Sequence, residues 1–182
     1  MKNLEYAIMK AFGKVVSIFG ISRKKLTTKW FRHHGMDIGD NCTICCNILP
    51  SEPYLVSIGN NVTVSAPVQL LTHDNSIIKL SQGRATDIFG AIRIGNNCFV
   101  GANTVILPGV TLSDNVIVAA GSVVTKSFLE ENIIIGGNPA RKIGTWDTSL
   151  QKNMRYAQNI KGLSAEEKRN LLMCDENVMR NR

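Results

Sequence analysis

A chain of 182 residues with 44% hydrophobic and 19% charged content carries enough apolar material for one principal core, which excludes a disordered or low-complexity segment. Its formal net charge of +7 is uneven: eight basic residues face two acidic ones before residue 38, six face seven from 38 to 145, and seven face five thereafter. The surplus sits at the two ends and accompanies no recognition motif, so charge alone gives no reason to expect nucleic acid as a partner.

Taken in chain order, residues 3 to 19 place Leu4, Ile8, Ala11, Phe12, Val15, Val16 and Phe19 at three- and four-residue spacings, which predicts an amphipathic helix. Glu5, Lys10 and Lys14 interrupt the apolar run, so neither a signal peptide nor a membrane span is read there, and a cytoplasmic location is expected. Arg23-Lys24-Lys25 and Trp30-Phe31-Arg32 follow. Two readings of residues 1–37 stay open: a helical segment that packs on the main domain, or a basic surface that meets lipid or a lipid-linked glycan at the inner membrane face.

From residue 38 the period changes. Ile38 and Ile44, then Ile58, Val64 and Leu70, then Ile94, Val100, Ile106, Leu112, Val118 and Val124 fall six apart. Six is neither helical spacing nor simple alternation, so residues 38–145 read as a repeat domain of stacked three-sided coils. Inside each six, Ile58-Gly59-Asn60-Asn61-Val62 and Ile94-Gly95-Asn96-Asn97-Cys98 put Gly and Asn where the chain turns a corner and needs positive φ. Cys42 and Cys98 take the small inward position, which suits buried structural thiols. Cys42-x-x-Cys45 is half of a metal knuckle with no nearby Cys or His pair to complete it, and no metal is required.

The six-step lapses over His73 to Arg93, a polar stretch that predicts an extruded loop at about 74–91. A second lapse, Ser127 to Asn132, predicts a polar bend before Ile133-Ile134-Ile135 resumes a strand and Gly136-Gly137-Asn138-Pro139 ends the column. Residues 146–182 read as a helical extension, with Ser164-x-x-Glu167 as a capping box.

His73 is the sole histidine of the repeat domain and stands where the loop leaves the coil. An alcohol is a poor nucleophile until it loses its proton, and an imidazole can take that proton near neutral pH. The motifs add direction. Thr72-His73-Asp74, Val100-Gly101-Ala102-Asn103, Val105-Ile106-Leu107-Pro108-Gly109-Val110, Ala120-Gly121-Ser122-Val123-Val124-Thr125-Lys126 and Gly137-Asn138-Pro139-Ala140-Arg141 follow one another in a fixed order. In this series the chain resembles the hexapeptide-repeat O-acetyltransferases, the branch with the maltose, galactoside, virginiamycin and capsular-polysaccharide enzymes.

The resemblance implies a mainly β fold, a left-handed parallel β-helix flanked by helical segments, assembled as a homotrimer with active sites in the grooves between subunits. It implies acetyl-CoA as co-substrate, direct transfer to a sugar or glycan acceptor, and His73 as general base. By the same matching, the backbone N–H of Ala102 would hold the oxyanion, Gly101, Ala102 and Ala120 would line the pantetheine arm, and Thr125, Lys126, Arg141 and Lys142 would meet the CoA phosphates. Asp74 would orient the imidazole or contact substrate, and Asn75, Arg84, Asp87 and Phe89 would shape the acceptor pocket. The Asp87-Ile88-Phe89-Gly90 stretch looks most like enzymes that decorate capsular or surface glycans. Alternatives are an amino-sugar or streptogramin-type acceptor, or a catalytically silent scaffold with a basic partner-binding N-terminus. A zinc β-helix enzyme of the γ carbonic anhydrase kind needs three histidines per metal, and His33 and His34 lie outside the repeats.

Overall fold

The computed structural model describes Ile8, residues 23–45, 50–174 and Val178. The helix expected over 3–19 lies, Ile8 apart, outside the described residues. The first described helix is α1 (Arg23–His33), followed by a column of two- to five-residue strands. Such short strands suffice because each one is hydrogen-bonded along a ladder to the coils above and below.

The column has three faces. The first is made of β1 (Asp37–Ile38), β3 (Val56–Ile58), β8 (Ile92–Ile94) and β11 (Thr111–Leu112), hydrogen-bonded in that order. The second runs from β2 (Thr43–Ile44) through β4 (Thr63–Val64), β9 (Phe99–Val100), β12 (Val116–Val118) and β14 (Ile133–Gly136) to β15 (Arg141–Thr145). The third holds β5 (Gln69–Leu70), β10 (Val105–Ile106) and β13 (Val123–Val124). Registers are parallel and keep the repeat aligned: Ile38 with Ile58, Ile58 with Ile94, Val64 with Val100, Leu70 with Ile106. Every residue of the six-step series is buried, at 6% exposure or less. Each such aliphatic side chain taken from water contributes about 1.5–3 kcal/mol, and that sum offsets the entropy lost in ordering the strands.

The Gly-Asn-Asn corners divide their work differently from the sequence expectation. Positive φ falls on the second Asn, at +57° for Asn61, +55° for Asn97 and +58° for Asn115. The Gly answers a steric demand: a Cβ on Gly59 would lie 2.7 Å from Asn96 Oδ1 and 2.9 Å from the Gly95 carbonyl carbon. The first Asn ties coil to coil. Asn60 Oδ1 accepts from Asp40 N at 2.8 Å, Asn96 Oδ1 from Asn60 N at 2.9 Å, and Asp114 Oδ1 from Asn96 N at 2.7 Å.

Helix α1 packs on the start of the column. Phe31 is fully buried in the core, Trp30 packs against it, and Arg32 donates from Nε to Ile38 O at 2.7 Å and from Nη2 to Gly39 O at 2.6 Å. Phe31 and Trp30 therefore pack on protein. Cys42 Sγ and Cys98 Sγ approach the carbonyls of Gly59 and Ser113 at 3.0 and 3.2 Å, and burial pushes the Cys98 thiol pKa up. The bend after Val124 is less open than its polar sequence suggests, because Phe128 bridges to Leu112 and extends the first face.

Residues up to Ile143 form one compact unit and those from Gly144 another. The second contains α3 (Trp146–Asn153) and α4 (Ala165–Cys174). The Ser164 capping box is present: Glu167 N donates to Ser164 Oγ at 3.2 Å and Ser164 N to Glu167 Oε2 at 2.7 Å, and hydrogen bonding to the carboxyl from the Ser164 side chain and then its backbone N–H holds it below its usual range. Among the described residues no helix is long and apolar enough to cross a membrane.

Candidate active site

The extruded loop is an ordered ribbon. β6 (His73–Asp74) pairs antiparallel with β7 (Ile88–Phe89), and the short helix α2 (Ile77–Leu80) lies in the segment that joins them. The ribbon is pinned at its base, where Gly90 N donates to Thr72 O at 2.9 Å. His73 thus projects from the edge where the third face turns into the first, and the corner one coil earlier, Ser51 to Leu55, brings Glu52 to the same edge.

That corner supplies the residue that sequence reasoning missed. Glu52 Oε2 lies 3.0 Å from His73 Nδ1 and accepts from the buried Thr72 hydroxyl at 2.5 Å, while Glu52 N approaches the same hydroxyl oxygen at 3.4 Å. Burial works to raise the Glu52 carboxyl pKa, yet the hydrogen bonds from Thr72 and His73 outweigh it and leave the group below its usual value. The bond to Glu52 raises the imidazole pKa above its ordinary value, partial desolvation opposes it, and the charges of Glu52, Asp87 and Asp74 add to the rise. An ionised carboxylate only accepts, so Nδ1 carries the proton in this pair and Nε2 keeps the lone pair. The arrangement is an imidazole with its tautomer fixed.

Asp74 does not orient the imidazole. Successive strand residues point to opposite faces, so Asp74 leaves the ribbon on the side away from His73, and its Oδ1 accepts from Ser76 N at 2.8 Å. That bond also holds its carboxyl below the usual range. Phe89 stands opposite His73 across the ribbon, ring centroids 6.0 Å apart. Asp87 is half-buried, whereas Asn75 and Arg84 are exposed, and Arg84 Nε donates to Ser81 O at 3.0 Å within the loop itself.

Of the expected acyl-donor residues, Thr125 and Lys126 leave the third face on the same edge as His73, two coils further along, whereas the backbone candidates fall on another edge. Gly101, Ala102 and Ala120 form the corners between the second and third faces, so the whole third face separates them from His73. The Ala102 peptide is held there: Gly101 N donates to Val118 O at 2.9 Å, Asn103 N to Pro67 O at 2.6 Å, and Ala102 O accepts from Gly121 N at 2.8 Å. Thr125 and Lys126 follow β13, with the Lys126 ammonium 5.7 Å from the Phe128 ring centroid. Arg141 is exposed on β15, and Lys142 is ion-paired with Glu130. One chain therefore does not bring His73 and Ala102 together. No group of three or more metal-ligating side chains occurs among the described residues.

Comparison with known proteins bears on this geometry. Residues 91–126 match the family model described as a hexapeptide repeat of succinyl-transferase. Protein CapG of Staphylococcus aureus is 40% identical over 157 residues, covering 84% of this chain and 91% of that protein. Galactoside O-acetyltransferase of Escherichia coli K12 is 35% identical over 106 residues, 58% of this chain and 52% of that one. A crystal structure of a hexapeptide-repeat-containing acetyltransferase from Vibrio cholerae, complexed with acetyl coenzyme A, superposes with a TM-score of 0.55 at 28% identity, covering 61% of this chain and 60% of that chain. The three-faced column is accordingly a left-handed parallel β-helix.

Proposed function

The chain belongs to the hexapeptide-repeat acetyltransferase family, and on that footing we propose that it is an acetyl-CoA-dependent O-acetyltransferase acting on a sugar hydroxyl in the building of a capsular or surface polysaccharide. The observation that carries the reading is the His73 imidazole, fixed through Nδ1 by the Glu52 carboxylate and standing at the root of a ribbon. Acetyl-CoA supplies an acetyl group already activated as a thioester. His73 Nε2 takes the proton of the acceptor hydroxyl as its oxygen attacks, and the Glu52 carboxylate stabilises the imidazolium that forms. The Ala102 N–H, in a peptide fastened on both sides, is the donor we assign to the developing oxyanion. The same imidazolium can return its proton to the departing sulfur, so no enzyme-bound acyl intermediate is needed.

The separation of His73 and Ala102 on different edges favours a homotrimer in which the His73 edge of one subunit faces the Ala102 edge of the next. Outward residues of the second face support such packing: Phe99, Ile117 and Ile134 stand in register as an apolar stripe, Phe99 at 43% exposure. In this reading Thr125, Lys126, Arg141 and Lys142 hold the phosphates of CoA, with Lys142 exchanging its Glu130 partner for the ligand. The enzyme works on the cytoplasmic side, where acetyl-CoA is made.

The deciding experiment is mass-spectrometric detection of acetylated product from nucleotide-linked sugars, lipid-linked glycans and streptogramins, using wild type and His73→Ala. The variant should lose about 10²- to 10⁴-fold in turnover, with its oligomeric mass by light scattering unchanged. Turnover near wild type would refute His73 as the base.

A further inference from the structure

The ribbon that carries His73 has two sides. His73 pairs with Phe89 and Asp74 with Ile88, so alternation along the strands puts the imidazole and the Phe89 ring on one side and leaves Asp74 and Ile88 on the other. The Phe89 ring is 57% exposed and tilted 52° to the imidazole. Its position is set by the backbone rather than by packing of the ring. Gly90 sits so tightly on the corner of the next coil that a Cβ there would lie 2.3 Å from Gly109 N, and Gly90 N is bonded to Thr72 O. The backbone of Phe89 therefore keeps its place opposite His73 unless the base of the ribbon opens.

An open aromatic ring carried beside a base suits one kind of acceptor. A pyranose has an apolar C–H face and a polar rim of hydroxyls, so laying that face on an aromatic ring removes both apolar surfaces from water and leaves the rim free. With the ring centroids 6.0 Å apart, a rim hydroxyl of a sugar lying on Phe89 comes within reach of the imidazole edge. An open-chain polyol has the same hydroxyls but no such face. We propose that Phe89 is the platform on which the acceptor's pyranose ring lies, and that it sets which ring hydroxyl meets His73 Nε2. This rests on the reading of His73 as the base that activates the acceptor.

The test uses the full chain and defined probes: methyl β-D-galactopyranoside, and galactitol as the ringless control. Saturation-transfer NMR reads contact with ring C–H protons, and steady-state acetyl transfer reads KM and kcat for wild type, Phe89→Ala and Phe89→Trp, with thermal melts to check folding. Phe89→Ala should weaken pyranoside binding and raise its KM about tenfold, with the larger share of the loss in KM; Phe89→Trp should restore both, and galactitol should respond little. An unchanged pyranoside KM in Phe89→Ala, an equal loss for galactitol, or no pyranoside contact in wild type would overturn the platform. A pyranoside that binds through Phe89 while no member of the acceptor panel is acetylated would instead overturn the transferase reading and leave the platform standing. Acetylation with wild-type KM in Phe89→Ala would do the reverse.

Discussion

Replacing Glu52 with Gln keeps the volume of the side chain and removes its charge, which makes it a sharp probe of the imidazole. In the native pair Oε2 accepts from His73 Nδ1 at 3.0 Å and from Thr72 at 2.5 Å, both at a single oxygen. A Gln amide can satisfy Thr72 through its oxygen, but its NH2 can then donate to Nδ1 and stabilise the tautomer that carries its proton on Nε2. That tautomer cannot act as the base toward the acceptor. A buried triad carboxylate changed in this way costs about 10⁴-fold in kcat. The His73 side chain is 34% exposed and Glu52 15%, so water competes for Nδ1 and we expect a smaller loss, about 10²-fold. The pH profile gives a second, independent readout. The base must be neutral to work, and its native pKa is raised above 6.5 chiefly by the bond to Glu52. The acid limb of kcat/KM should therefore lie above 6.5 in wild type and move to lower pH in Glu52→Gln. Steady-state kinetics from about pH 5.5 to 9 with one acceptor reads both effects. A variant with kcat within twofold of wild type and an unmoved acid limb would refute the dyad, whatever the structure of the free enzyme.

Two further outcomes follow from the same coordinates. Thr72 is 2% exposed and its hydroxyl donates to Glu52, so Thr72→Val keeps the shape and removes the donor; kcat should fall about tenfold and stability by about 1–2 kcal/mol, with Thr72→Ser recovering most of both by kinetics and urea denaturation. Gly59→Ala forces a methyl to 2.7 Å from Asn96 Oδ1 and against the Gly95 backbone, so it should cost about 2 kcal/mol or more in Tm-derived stability, whereas the same change at Gly83, where a Cβ meets nothing within 4 Å, should cost about 1–2 kcal/mol, all of it from φ.

What could be seen in the sequence was what repeats. A residue such as Val100 is constrained by an equivalent above it and another below it, Val64 and Val118, so its inward position is declared three times over. The corners were legible in type and unresolved in detail, because Gly and Asn both tolerate positive φ and only the structure shows that Asn97 takes it while Gly95 answers a Cβ that would clash with Asp114. Phe128 was hidden in a polar bend for the opposite reason: one bridge to Leu112 is a single event without a period.

The site divides along the same line. His73 was visible because it is the sole histidine of the column, and the motif that contains it offered its neighbour Asp74 either as orienter or as substrate contact. Adjacency in a strand is a poor guide to contact, since neighbours point apart. Residues one coil away in space are about twenty apart in sequence, and Glu52 stands 21 residues before His73. The usable signal was therefore an acidic residue one coil upstream at the same corner, and Glu52 is the only acid between Asp40 and Asp74. In a β-helix the search for a partner to a catalytic side chain should step by whole coils, because the ladder that stacks Val64 on Val100 also stacks the corner of Glu52 on that of His73.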